Sequence, residues 1–435
     1  MILFFIFIFL GLVFGGFYIG ARDKFSPANL MLAIWLMAMG VAQLRLSPLE
    51  GPWSVDFWLM LFLFLILFYL VYLITNRKLE AKITTDKNNN IINQKVFLIT
   101  TTLLVTFTIL TNLYIFWRFK TMPIFSTNPD KLRFIINKDI FGLWEYLALL
   151  PRLYIPILFF YLLSLKNINS KFKLFIWFNI FLGFLLLILY ASRLIIILPI
   201  LLSYFVYLYL RKKDLNFKKI IISAVVVLMV VGAISVIIPA FRNYITYKDY
   251  YADTPDYTPF TYLADISGIN LPSNLAWLIP LYLIPSFNLQ TLMQASTFYT
   301  PALDNYYNGG YYLSVFNPVL KILDLPLSPV VIPWKPIFLY WWITATFLFT
   351  AWVDFGYLGI IFISIFWGVV LATAYQYATK KPTYWSIMLM AYLSFVVVMS
   401  IYTDYLTRAE FYLDLCFIGF IGYIFSKFGN NYSND

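Results

Sequence analysis

Histidine is absent from the 435 residues, cysteine occurs once, and charged side chains make up only 12% of the chain. Each scarcity closes a class of function. Without histidine there is no imidazole to act as general base, proton shuttle or metal ligand. With Cys416 alone, no intrachain disulfide can form. Catalysis, if present, runs on carboxylates, arginine, lysine, tyrosine or serine, and no metal or other cofactor is expected. What is abundant is apolar surface. Hydrophobic residues reach 62% and the mean hydropathy is +0.80, far outside the make-up of a soluble domain. Stretches of about 20 apolar residues recur from end to end, each long enough to cross ~30 Å of hydrocarbon as a helix. The expectation is an all-α polytopic membrane protein, a single integral membrane domain over residues 1–435.

Candidate spans run at about 2–20, 26–43, 53–75, 96–117, 143–164, 174–190, 194–210, 219–239, 355–375, 384–402 and 408–426, which makes about eleven transmembrane helices. The first has no basic region before it and no small-residue cleavage site after it, so it reads as a retained helix. The net charge of +11 does not point to nucleic acid, because most lysines lie in short links between spans. Residues 75–95, 166–173, 211–219 and the pair Lys380 and Lys381 all fall on one side if the spans alternate. Positive links mark the cytoplasm, which places the amino terminus outside and the carboxyl terminus inside. The lipid bilayer is thus the first partner. Abundant isoleucine, phenylalanine, asparagine and lysine suggest an AT-rich bacterial or archaeal genome, hence a cytoplasmic membrane.

Two segments remain on the outer face. Residues 118–142 carry Arg118, Lys120, Lys131, Arg133 and Lys138, against the positive-inside trend. They are either surface charges gathered on an Asn-Pro-Asp loop or an anion-binding surface. Residues 240–354 mix tyrosine, tryptophan, proline and glycine with short apolar pieces such as "LAWLIPLYLIPSF". This large extracytoplasmic segment is expected to hold interfacial or re-entrant helices that roof a cavity, with 275–287 and 337–351 as alternative true spans.

Within "LLILYASRLIIILPIL", residues 186–201, Arg193 interrupts an aliphatic run after two small residues. A charge near hydrocarbon either snorkels to the interface or has a task. Ser-Arg before an aliphatic helix ("YASRLIIILPILL"), then a basic link, one more span, a large aromatic-rich outer segment and a late span opening with "AWVDFGYLGIIF" resembles the Wzy-type O-antigen polymerases. These oligosaccharide repeat unit polymerases are related in architecture to the O-antigen ligases, a GT-C-like arrangement. The resemblance covers the whole layout, but its specific motifs are short: Arg193 after small residues, and the Asp-Phe-Gly-x-x-Gly run from Asp354 to Gly359. The glycine usual after that arginine is here Leu194. A protein kinase reading of the same Asp-Phe-Gly letters fails, since no nucleotide loop or catalytic loop accompanies them.

The resemblance implies a metal-independent glycosyltransferase acting on polyprenyl-pyrophosphate oligosaccharides as donor and acceptor, alongside a flippase and a chain-length regulator. Arginines suit a pyrophosphate leaving group because they pair with it bidentately. The candidates are Arg193, then Arg242, Arg152 and Arg408, with Arg133 from the basic outer loop. An acceptor hydroxyl calls for a carboxylate base, for which Asp354, Asp265, Asp304 and Glu410 are the choices. Asp354 also suits a helix cap, and Glu410 an ion pair with Arg408. Tyr306, Tyr307, Tyr311, Tyr312, Trp341 and Trp342 are placed to stack on sugars or to anchor at the interface. The main alternative is a transporter or flippase of lipid-linked oligosaccharide, which should show two comparable halves; no internal repeat is visible. A mannosyltransferase needs an acidic pair in a sizeable outer loop after the first helix, where this chain has only the link "ARDK". The familiar membrane acyltransferases rely on histidine.

Overall fold

The computed structural model describes all residues except 22, 85–92, 139–142, 165–168, 247–257, 299–309, 318–343 and 430–435. Every regular element among the described residues is a helix. In chain order the α-helices are α1 (Ile2–Gly20), α2 (Pro27–Ala42), α3 (Val55–Lys82), α4 (Gln94–Phe119), α5 (Pro129–Lys138), α6 (Leu143–Ala148), α7 (Pro151–Ser164) and α8 (Ser170–Ile188). They continue with α9 (Arg193–Leu210), α10 (Phe217–Thr246), α11 (Pro259–Ser267), α12 (Ile279–Phe298), α13 (Gly310–Leu313), α14 (Phe347–Lys380), α15 (Tyr384–Met399) and α16 (Ala409–Gly429). Ten described helical stretches are long and apolar enough to cross a membrane, and α2 and α15 are shorter apolar helices. The protein is an all-α polytopic membrane protein.

All eleven expected spans correspond to helices, and a twelfth apolar helix covers 275–287, one of the two stretches of the outer segment named as an alternative true span. Residues 274–297 form a continuous helical stretch of spanning length, with Pro285 inside α12. Its polar side chains lower its hydropathy because they face protein rather than lipid. Asn288 is fully buried, donating to the carbonyl of Ile401 at 2.9 Å and accepting from Thr344 at 2.8 Å. The late span also starts earlier than expected, at Phe347 rather than near 355, and is broken at Gly356.

The chain folds into two compact units, one of Met1–Asp86, Ala264–Lys381 and Leu393–Leu413, the other of Lys87–Leu263, Pro382–Tyr392 and Asp414–Asp435. In the first, α1 lies against α2 through glycines: a Cβ on Gly11 or Gly40 would press on Met37 or Ile8. Small residues let helix backbones approach, the usual means of packing where lipid removes the hydrophobic drive between helices. The same device sets α3 on α14 at Gly368, which meets Val71 and the carbonyl of Phe68. A buried hydrogen bond from Gln376 to Asn76 (2.7 Å) fixes that pair. Trp35, fully buried, packs on Phe64 and Phe347 and donates to Ser400 at 2.9 Å. In the second unit α7 is central, touching α8 and α9, and Gly183 lets α8 close onto Ile155 and Tyr154. Tyr161 stacks on Phe97 of α4 at 3.7 Å.

Candidate functional site

The second unit gathers arginines around one carboxylate. The Asn-Pro-Asp run is a helix start: Asn128 accepts from the N–H of Lys131 at 3.0 Å, Pro129 takes the first helical position of α5, and Asp130 lies in its first turn. One turn on, Arg133 reaches Asp130 at 3.3 Å. From the far end of α10, 112 residues away, Arg242 reaches the same Asp130 oxygen at 2.6 Å. The second terminal nitrogen of Arg133 donates to the hydroxyl of Ser192 at 3.2 Å.

Ser192 belongs to the tight link between α8 and α9, and its hydroxyl makes no bond to the start of its own helix. The link is held from several directions. Tyr190, fully buried, donates to Asn112 of α4 at 3.2 Å, and the carbonyl of Leu189 accepts from Ile124 at 3.0 Å. Between them Ala191 adopts φ +48°, a left-handed conformation unfavourable for a residue with a Cβ. Arg193 then opens α9. A cation at a helix start opposes the helix dipole, which favours anions there. Among the described residues Arg133 and Arg242 both reach the Asp130 carboxylate, and Arg193 follows the serine that Arg133 also touches. The structure thus brings together two of the arginines singled out from sequence, Arg133 and Arg242, and sets Arg193 next in the chain to the serine that Arg133 reaches.

The other two lie elsewhere. Arg152 is not open to a ligand: it is 7% exposed and paired with Asp414 at 2.9 Å, while its guanidinium lies over the ring of Tyr146. Asp414 also accepts from Tyr392 at 2.9 Å. Arg408 belongs to the first unit, where its Nε donates to Thr403 at 3.1 Å and its charge sits over Tyr405, rather than pairing with Glu410. Glu410 lies in the first turn of α16, where a negative charge suits the helix dipole.

In the first unit the Asp-Phe-Gly-x-x-Gly run has a structural meaning of its own. Asp354 does not open a helix as its sequence position suggests; it lies inside α14, just before the break. Gly356 has φ +56° and ψ −133°, a conformation essentially confined to glycine. After the break the chain folds back so closely that a Cβ on Gly359 would lie 1.9 Å from the carbonyl oxygen of Ala351. Gly356→Ala is expected to lower stability by about 1–3 kcal/mol, the usual strain of such a backbone. Gly359→Ala should cost more, since backbone must move; thermal unfolding in detergent measures both. The break turns the fully buried Asp354 carboxylate toward α13, where its two oxygens accept the N–H groups of Tyr311 and Tyr312 at 3.0 Å each. Asp354 thus caps a short helix other than its own.

Beside it stands a carboxylate that sequence reading overlooks. Asp404 is 5% exposed and precedes the 3-10 turn Tyr405–Thr407, whose Leu406 N–H donates to Oδ1 at 2.9 Å. Burial pushes its pKa up from the usual 3.8 to about 7, the charge of Asp354 adding to the rise, while the Leu406 N–H, Thr350 and Arg408 moderate it. The folded state thus holds a proton here that the unfolded chain releases. That stabilisation is present in full below about 3.8 and lost as the pH climbs through about 7. The unfolding free energy of the wild-type protein should fall over this window by an amount on the order of a few kcal/mol, read as a falling thermal midpoint, and Asp404→Asn should flatten the curve.

Of the remaining sequence candidates, Asp265 is exposed near the end of α11, and Tyr311 lies edge-on to Phe349. Asp304, Tyr306, Tyr307, Trp341 and Trp342 lie outside the described residues. Among the described residues no three Cys, Asp or Glu side chains cluster to hold a metal ion. Compared with models of protein families, with curated proteins and with solved structures, the chain has no match.

Proposed function

We propose that the protein is a metal-independent membrane glycosyltransferase that polymerises polyprenyl-pyrophosphate-linked oligosaccharide repeat units into a surface polysaccharide. The reaction is assigned to the outer leaflet of a bacterial or archaeal cytoplasmic membrane, with the amino terminus outside and the carboxyl terminus in the cytoplasm. One observation carries the reading: Arg133 and Arg242 converge on Asp130 beside Ser192 and Arg193, at a link between two helices of spanning length. A cationic cluster at the end of membrane helices suits the pyrophosphate of a lipid carrier, and guanidinium groups stabilise the charge that develops as it leaves. The layout that resembles Wzy-type polymerases supplies the sugar chain as the transferred group.

The test is the size distribution of surface and lipid-linked glycan in the host with the gene deleted. Long chains should vanish while single repeat units still reach the outer face. Accumulation of single units on the cytoplasmic face would instead make the protein a flippase, and the arginines part of a transport path.

A further inference from the structure

The start of α15 and the second half of α16, both in the second unit, leave a groove of about 410 Å³ between them. That volume lies within the ~300–1,000 Å³ of sites that take small molecules. On α16 the groove follows Gly419, Gly422, Tyr423 and Ser426, whose helical spacing puts them on one face. The two glycines supply the room. A Cβ on Gly419 would stand 3.3 Å from Trp385, and one on Gly422 3.5 Å from the same side chain, so anything longer would fill the space. Tyr384 forms the wall at the start of α15, standing edge-on to Phe425 and to Phe160 of α7.

No carboxylate lines the groove, and the charge beside it is positive. Lys427, the residue after Ser426, holds its ammonium over the rings of Tyr423 at 5.4 Å and Phe428 at 5.8 Å, both about half exposed. Across from it, Thr383 and Ser386 exchange hydrogen bonds. The N–H of Ser386 donates to Thr383 Oγ1 at 3.2 Å, and the N–H of Thr383 to Ser386 Oγ at 2.9 Å, which closes the first turn of α15. The positive end of that helix dipole therefore lies at the groove. Tyr384, 6% exposed, adds a hydroxyl with no hydrogen bond among the described residues, a donor that an incoming oxygen would satisfy.

Depth decides what kind of molecule fits. The helix Ala409–Phe428 is of spanning length and Lys427 stands in its last turn, so the cation marks a membrane surface and the glycine face leads from it into the hydrocarbon. Walls of glycine and aromatic carbon offer water few partners. The occupant that suits both ends has an apolar chain and a negative head. Free phosphate lacks the chain, and a zwitterionic lipid lacks the net charge.

We propose that this groove binds one anionic phospholipid, an acyl chain lying on Gly419 and Gly422 against Trp385 and the phosphate group at Lys427 and the start of α15. The site is independent of the glycosyltransferase reading. On the orientation proposed above the lipid comes from the inner leaflet, where basic pockets between helices take anionic headgroups.

The test uses the full-length protein in nanodiscs of phosphatidylcholine with a trace of phosphatidylglycerol carrying a photoactivatable acyl chain. After irradiation, label should concentrate on peptides bearing Trp385 and Tyr423, above the level on α10, whose apolar residues are mostly exposed along its length. Excess unlabelled phosphatidylglycerol should remove the groove label, whereas excess phosphatidylcholine or inorganic phosphate should not. Lys427→Gln, at an exposed position, should weaken the competition by phosphatidylglycerol about fivefold, which corresponds to ~1 kcal/mol for one basic residue at a membrane surface. Gly419→Leu with Gly422→Leu should abolish the groove label and leave that on α10 unchanged.

Groove label no stronger than that on α10 overturns the proposal. Equal competition by phosphatidylcholine, or full affinity in Lys427→Gln, overturns the anionic headgroup, and competition by inorganic phosphate would make this a site for a free anion. Groove label that appears only when a self-associated protein is diluted to single copies would make the groove an interface between copies. If the glycine variant fails to insert, Lys427→Gln and the competition series decide alone.

Discussion

Replacing Arg152 by alanine should empty the membrane fraction of the protein rather than leave an inserted, inactive form. The guanidinium is 2.9 Å from Asp414, with 8% and 2% of the two side chains exposed. Removing the cation strands a buried carboxylate that keeps, among the described residues, neutral hydroxyl partners such as Tyr392 at 2.9 Å. Breaking a buried pair from one side costs about 3–5 kcal/mol, a large share of the stability of most folds. Replacing both members, Arg152→Met with Asp414→Leu, should recover most of the loss, because apolar side chains of similar volume need no compensation in a low-dielectric interior. Protein abundance in isolated membranes and the thermal midpoint in detergent decide the matter. Normal accumulation of Arg152→Ala with polymerisation abolished would return Arg152 to the set of ligand-binding arginines.

The arginine cluster should behave in the opposite way. Arg193→Ala, and the pair Arg133→Ala with Arg242→Ala, should leave insertion intact while long glycan chains disappear. Groups that stabilise charge developing in a transition state are each worth about 10²–10³ in rate when removed singly. The surrounding fold tolerates their loss: the side chains of Arg133 and Arg242 are 25% and 18% exposed, and their shared partner Asp130 is 56% exposed, so water can replace the missing charge. Asp130→Asn makes the sharper test. It releases both guanidinium groups from their carboxylate, and binding of a polyprenyl-pyrophosphate lipid should tighten severalfold and become more sensitive to salt. Weaker binding in Asp130→Asn would mean that the carboxylate orients the arginines, and its negative charge would then count as part of the site.

Spans such as 2–20 and 55–82 are legible in one dimension because hydropathy over a membrane's thickness is a local property of the chain. The helix at 274–297 is legible only as an alternative at 275–287, because Asn288 and Pro285 break its apolar run and the partners that excuse Asn288, Ile401 and Thr344, lie far along the chain. Arginine sites are half legible. Arg133, Arg193 and Arg242 stand out as charges in apolar or outward segments, yet nothing local distinguishes them from Arg152, whose partner is 262 residues away. Asp404 is hidden for a different reason. In "YTDYLT" it reads as a turn residue, and it is one; its buried neighbours Tyr312 and Asp354 lie far back along the chain, so nothing local marks it.

The left-handed Ala191 carries a consequence for affinity. A glycine would adopt φ +48° without strain, and would also let the link between α8 and α9 sample many other shapes. Alanine at that position restricts the link in the unfolded and unliganded chain alike, while Asn112, Ile124 and Arg133 hold the single shape it takes when folded. On the proposed function, a headgroup arriving here would meet a link already held in one shape, and little of the binding free energy would be diverted into ordering it. Local strain of this kind is a form of preorganisation: the fold absorbs the entropy loss during its own assembly, before any ligand arrives.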